Sequence, residues 1–69
     1  MKIAIIGATG FVGSIVVKEA LQRGYQVTAI ARNVDKITTT DKNLTAVAAD
    51  ADDSANLAKI LAGNDAVVS

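Results

Sequence analysis

Gly7-Ala8-Thr9-Gly10-Phe11-Val12-Gly13 is the stretch on which the reading of this chain turns. Immediately before it, Ile3-Ala4-Ile5-Ile6 is an unbroken apolar run, the pattern of a short strand buried on both faces. Immediately after it, Val12, Val16 and Ala20 recur every four residues, as do Gly13, Val17 and Leu21. Ser14, Lys18 and Gln22 fall on the opposite side, and Ile15 falls outside the stripe. That spacing predicts an amphipathic helix from Phe11 to Arg23, with Gly24 placed to end it in a left-handed conformation. A strand that passes through glycines straight into a helix is a phosphate-binding context. The first N–H groups of the helix have no intrahelical acceptor, and the dipole is positive there. Gly7 can take the tight turn, Gly10 lets backbone approach a pyrophosphate with no Cβ between, and Gly13 lets the helix lie close to the sheet. The spacing is G-x-x-G-x-x-G, not the commoner G-x-G-x-x-G, and by itself it also suits a glycine-rich turn that holds nothing. The strand and helix flanking it favour a dinucleotide.

Further along, Val27 to Ala31, Leu44 to Ala49 and Ala66 to Val68 are three more short apolar runs. Arg32 to Asn43 joins two of them with one turn of helix at most, over Val34 to Ile37, because Thr38-Thr39-Thr40 is β-branched. Asp52, Asp53 or Ser54 can cap a later helix whose buried face is Leu57, Ala58, Ile60 and Leu61 and whose end is Gly63. The order is β-α-β-(short helical turn)-β-α-β. It implies an α/β fold with parallel strands and right-handed crossovers.

Composition narrows the chemistry. The chain has 69 residues, 51% of them apolar, and seven basic side chains balance seven acidic ones. Neutrality gives no electrostatic case for nucleic acid or an anionic membrane. With no Cys and no His there is no zinc site of the usual kind, no thiol nucleophile and no Ser-His-Asp triad. The run after Lys2 stops at Gly7, too short for a signal peptide, and no run approaches the roughly 20 residues of a membrane span. The expectation is a soluble, cytoplasmic protein.

The segment Lys2 to Arg32, with G-A-T-G-x-x-G at its centre, resembles the start of the short-chain dehydrogenase/reductase superfamily. It is most similar to the atypical and extended branches, and within them to the NAD(P)H-binding, NmrA-like group. Gly24-Tyr25-Gln26-Val27, Ala31-Arg32 and Gly63-x-Asp65-Ala66-Val67-Val68 carry the likeness to the end of the chain. The resemblance implies a Rossmann-type sheet of strand order 3-2-1-4. It also implies a cofactor held by Gly7, Ala8, Thr9, Gly10, Phe11, Val12 and Gly13.

Arg32 bears on which cofactor. NAD-binding relatives carry an acidic residue at the end of the second strand for the ribose 2′-OH. A guanidinium there suits a 2′-phosphate instead, and Lys36 can add a second cation, so NADP(H) is preferred and NAD(H) remains open. The plainer reading is an exposed Arg on a polar turn. In similar proteins an Asp placed like Asp50 contacts the adenine amino group, with the backbone of Ala51 beside it. Alternatively Asp50 caps the following helix. Asp52 and Asp53 read as partners of a helix dipole rather than as metal ligands.

No catalytic residue is placed. The superfamily's Y-x-x-x-K pair is absent: the only Tyr is Tyr25, four residues before Ala29, and it reads as packing. In similar proteins the nicotinamide and substrate sites come from segments after the fourth strand. Residues 1–69 are therefore expected to be the N-terminal, dinucleotide-binding part of a truncated Rossmann domain of roughly 200 residues or more. The leading expectation is an oxidoreductase that reduces a small carbonyl, flavin or quinone-like acceptor. Its partners would be the dinucleotide and a small-molecule substrate, with a homo-oligomer left open. An NmrA-like redox sensor acting on a protein partner, and a nucleotide-sugar epimerase or dehydratase, are the alternatives.

Overall fold

A computed structural model describes the whole chain, Met1–Ser69. In chain order it forms β1 (Lys2–Ile6), α1 (Phe11–Gln22), β2 (Gln26–Ala31), a 3-10 turn (Val34–Lys36), β3 (Leu44–Ala48), α2 (Ser54–Leu61) and β4 (Ala66–Val68). The strands make one parallel sheet in the order β3-β2-β1-β4, the order the sequence implies. The registers Ile3↔Val27, Val27↔Leu44 and Ile3↔Ala66 fix which side chains share a face. Side chains alternate along a strand, so Ile3, Ile5, Val27, Ala29, Leu44, Ala66 and Val68 point to one side.

That side is the core. Val17 and Ala20 of α1 are buried on Ile3, Ile5, Val27 and Ala29, with Val16, Leu21, Tyr25 and Ile37 packed around them. Ile15, off the stripe, stays exposed, and Val12 corrects the expectation: the four-residue repeat places it on the apolar stripe, but it is 69% exposed, because the first turn of α1 lies outside the core. The helix closes at Gly24, where the Tyr25 N–H reaches the Ala20 carbonyl at 3.1 Å and the Gly24 N–H reaches Leu21 at 3.0 Å. These are the paired bonds of a Schellman motif, which takes up carbonyls the helix leaves without a partner.

α2 begins where an Asp cap was expected. The Asp53 carboxylate accepts from the Asn56 N–H at 3.2 Å, while the side chain of Asn64 donates to the carbonyls of Ile60 and Leu61 at the far end. Two expectations need correction. Ala58 is exposed and only Leu57, Ile60 and Leu61 are half-buried. On a helical wheel Leu57, Leu61 and Ile60 centre the contact stripe, and Ala58 sits about 100° away from Leu57. The four apolar runs are also not alike. β1 and β2 are mostly buried, but β3 and β4 lie at the sheet's two edges and have no fully buried residue. Burial there is set by strand order, which a run of Val and Ala does not encode.

Candidate functional site

The parallel strands all point their C-terminal ends to one edge of the sheet, where ligands of open α/β sheets bind. Gly7 leaves β1 at φ +75°, a conformation that L side chains rarely adopt. Its N–H and that of Ala8 both donate to the Ile30 carbonyl, at 3.1 and 3.2 Å, which ties the turn to β2. The Gly10 N–H returns to the Gly7 carbonyl at 3.0 Å and closes it. Gly13 explains how α1 fits above this turn. A Cβ built there would lie 2.1 Å from the Gly7 oxygen, so only hydrogen allows the approach.

The seven residues of the motif thus divide by task. The N–H groups of Gly7, Ala8 and Gly10 are spent inside the turn, and the Ala8 side chain belongs to the core. The N–H groups of Thr9, Phe11, Val12 and Gly13 have no acceptor in the protein. Gly10, at the helix N-cap, has no side chain with which to satisfy them, and no acidic residue occupies the first turn. Phe11 and Val12 are exposed, so nothing shields these donors. Uncommitted N–H groups at the positive end of a helix are what a pyrophosphate requires.

Beside the turn lies a cleft of about 290 Å³, a size that suits one half of a dinucleotide. Gly7, Thr9, Arg32, Lys36, Ala51 and Leu57 are among the residues that line it, and no carboxylate does. Arg32 and Lys36 form no ion pair; the molecule's one pair joins the Arg23 Nε to Glu19 at 3.0 Å. That hydrogen bond, with a smaller contribution from Tyr25, raises Arg23 above its ordinary pKa. The 3-10 turn holds Lys36 at the cleft, started by the Asn33 side chain, which accepts from the Asp35 N–H at 3.0 Å.

Asp50 stands next to the cleft without lining it. Its carboxylate accepts from the Asp52 N–H at 2.9 Å, so it closes a local turn and does not cap α2, the cap being Asp53. Asn33, Ile30, Ala49 and Leu57 also line the cleft, although the sequence marks none of them as a site residue. The first three sit at or just past strand ends, a position that could have flagged them. Larger clefts exist elsewhere, one of about 440 Å³ lined by Lys2, Thr28, Lys42 and Gly63, but it touches neither the Gly7–Gly13 turn nor the start of a helix. No three His, Cys, Asp or Glu side chains converge anywhere. No helix is long and apolar enough to cross a membrane.

Comparison with known proteins agrees with this geometry. Residues 7–69 match the model of a family described as NAD(P)H-binding. An oxidoreductase of Lactococcus lactis, ylbE, is 40% identical over 97% of this chain, with a TM-score of 0.84. A proposed epimerase of Bacteroides thetaiotaomicron is 42% identical over 96% of this chain, with a TM-score of 0.90. In both cases the match covers 31% of the other protein. The uncharacterized protein YwnB of Bacillus subtilis is 57% identical over 37 residues, which is 54% of this chain and 17% of that protein. The chain thus spans about a third or less of the length of these relatives. Its glycine turn, its uncommitted helix N–H groups and its strand order are those of a dinucleotide-binding Rossmann sheet, and the chain belongs to the NAD(P)H-binding family.

Proposed function

We propose that this chain is the adenine- and pyrophosphate-holding front of a longer NADP(H)-dependent oxidoreductase of the atypical short-chain type. The observation that carries the cofactor choice is Arg32, which lines the same cleft as Gly7 and Thr9, with Lys36 beside it and no carboxylate on any wall. A guanidinium offers a fork of N–H donors that matches phosphate oxygens, whereas an NAD-selective site needs an acceptor there for the ribose hydroxyls. The pyrophosphate would lie on the N–H groups of Thr9, Phe11 and Val12. The chemistry supplied by the bound nicotinamide is hydride transfer, to a small carbonyl, flavin or quinone-like acceptor.

That the chain is the front of a larger fold is supported by its apolar surface. Half the residues are apolar, yet only 10 of 69 are buried. Val67, on the open edge of β4, is 47% exposed. An apolar, unpaired edge strand is normally covered by a further strand or by other chain. The test is NADPH oxidation by the full-length protein across aldehydes, ketones, flavins and quinones. Turnover on at least one acceptor, faster with NADPH than with NADH, is expected. Tight NADPH binding with no turnover on any acceptor would overturn the oxidoreductase reading.

The second reading is an epimerase, favoured by the 42% identity to the Bacteroides protein. An epimerase keeps its dinucleotide bound and regenerates it within each turnover. Cofactor retained through gel filtration, with no net NADPH oxidation, would favour it.

A further inference from the structure

We infer that the subsite for a phosphate on the adenosine ribose continues past Arg32 into a second cleft, where Lys18 of α1 is a specificity-determining residue. The inference rests on the NADP(H) reading above and extends it. Thr9 and Lys36 each line two clefts: the one that contains Arg32, and another of about 300 Å³ between α1 and the segment that follows the 3-10 turn. The second is lined also by Ser14, Lys18, Thr38 and Thr39. Lys18 follows Ser14 by one helical turn, so both project from the same stripe of α1. The two ammonium groups that line this cleft, from separate elements, are joined by no carboxylate.

The neighbouring acids do not neutralise them. On α1 the one acidic residue is Glu19, which is bonded to Arg23, and on the 3-10 turn it is Asp35, which lines neither cleft. The hydroxyls of Thr9, Thr38 and Thr39 make no hydrogen bond within the protein, and the Ser14 hydroxyl donates to the Phe11 carbonyl at 3.0 Å. Two unpaired ammonium groups and three free hydroxyl donors around one small cleft are the complement of a phosphate monoester, which presents several strong acceptor oxygens and up to two charges. Because Thr9 and Lys36 stand at the junction, that phosphate is one carried by the ribose of a nucleotide already seated on the glycine turn. It can come from the 2′ or the 3′ carbon.

The experiment compares Lys18→Met with the unaltered protein by titration calorimetry, using adenosine 2′,5′-bisphosphate, adenosine 3′,5′-bisphosphate and 5′-ADP. Met keeps the length and the helix propensity of the stem, and Lys18 is exposed, so the fold is retained. An exposed charge contact of this kind changes affinity by about threefold at low salt. The expected result is that loss for at least one bisphosphate, none for 5′-ADP, recovery in Lys18→Arg, and disappearance of the difference at high salt. The bisphosphate that loses more identifies the carbon. Unchanged binding of both bisphosphates, or an equal loss for 5′-ADP, would overturn the inference. Arg32→Ala run alongside separates the two readings. If it weakens 2′,5′-bisphosphate binding while Lys18→Met does nothing, the NADP(H) reading stands and the role of Lys18 falls. If neither variant has an effect, both fall.

Discussion

Replacing Gly13 by Ala should unfold more of this protein than a single methyl usually does, and with the opposite sign to the one helix propensity predicts. In an ordinary helix interior Gly→Ala is worth about 1 kcal/mol of added stability. Here the added Cβ would sit 2.1 Å from the Gly7 oxygen and 3.0 Å from the Gly7 carbonyl carbon, and ordinary contacts begin near 3.4 Å. The backbone on the other side cannot swing away, because the Gly7 N–H is bonded to Ile30 and its oxygen is bonded to Gly10. α1 must therefore back off by about 1 Å, which strips a quarter to a half of the dispersion energy from contacts along that face. Val17 and Ala20, the buried residues of α1, lie on it. Overpacking of this kind costs about 1–3 kcal/mol, and the upper end applies where both partners are backbone. After the propensity gain is offset, a net loss of about 2 kcal/mol remains, or a fall in Tm of about 4–8 °C for a domain of roughly 200 residues. Thermal and urea melts followed by circular dichroism at the helix band would measure it. Gly10→Ala supplies the comparison, because its Cβ meets the same oxygen at 3.3 Å and its φ of −70° is open to Ala; it should change stability by less than about 1 kcal/mol. A Gly13→Ala protein as stable as the unaltered one would refute the close approach of helix and turn.

Other consequences can be checked separately. Arg32→Ala should weaken NADPH about tenfold and leave NADH unchanged, the charge-assisted bond being discounted for solvent exposure; equal losses in paired fluorescence titrations would remove the 2′-phosphate role. Raising salt from about 50 to about 500 mM should weaken NADPH more than NADH, since the extra phosphate faces exposed cations, and parallel salt slopes would count against it. Asp53→Ala should cost about 1 kcal/mol in a urea melt through loss of the α2 cap, whereas Asp52→Ala, which removes no cap, should cost less. Val67→Lys should destabilise the full-length protein by more than about 2 kcal/mol if further chain covers β4, and should be nearly neutral if that edge faces water.

Much of this was readable in the residues. Ile3 to Ile6, the glycines and the four-residue repeats over Val12 to Leu21 specify a strand, a turn and a helix locally, and β1, the turn and α1 follow from them. The weak second connection was legible for the same reason: Thr38-Thr39-Thr40 resists helix, and only Val34–Lys36 coils. What stayed hidden depends on neighbours that are distant in sequence. Leu44–Ala48 and Ala66–Val68 look as apolar as β1, and only their edge positions leave them partly uncovered. Asp50 does not cap α2; it accepts from the Asp52 N–H through a turn that leaves no periodic trace. Lys18 and Lys36 line one cleft from two separate elements, so neither residue announces it in the sequence. The glycine motif points to a phosphate-binding turn, but which of its N–H groups remain free depends on the bonds of Gly7 and Ala8 to Ile30, which no local pattern encodes.

In the arrangement proposed above, one dinucleotide lies with its pyrophosphate on the first turn of α1 and its 2′-phosphate on Arg32. A crystal structure of the protein with NADPH measures both at once. Pyrophosphate oxygens are expected within about 3 Å of the N–H groups of Phe11 and Val12, and a 2′-phosphate oxygen within hydrogen-bond reach of the Arg32 guanidinium. A pyrophosphate seated away from the glycine turn, or a 2′-phosphate turned into solvent with Arg32 unengaged, would contradict it.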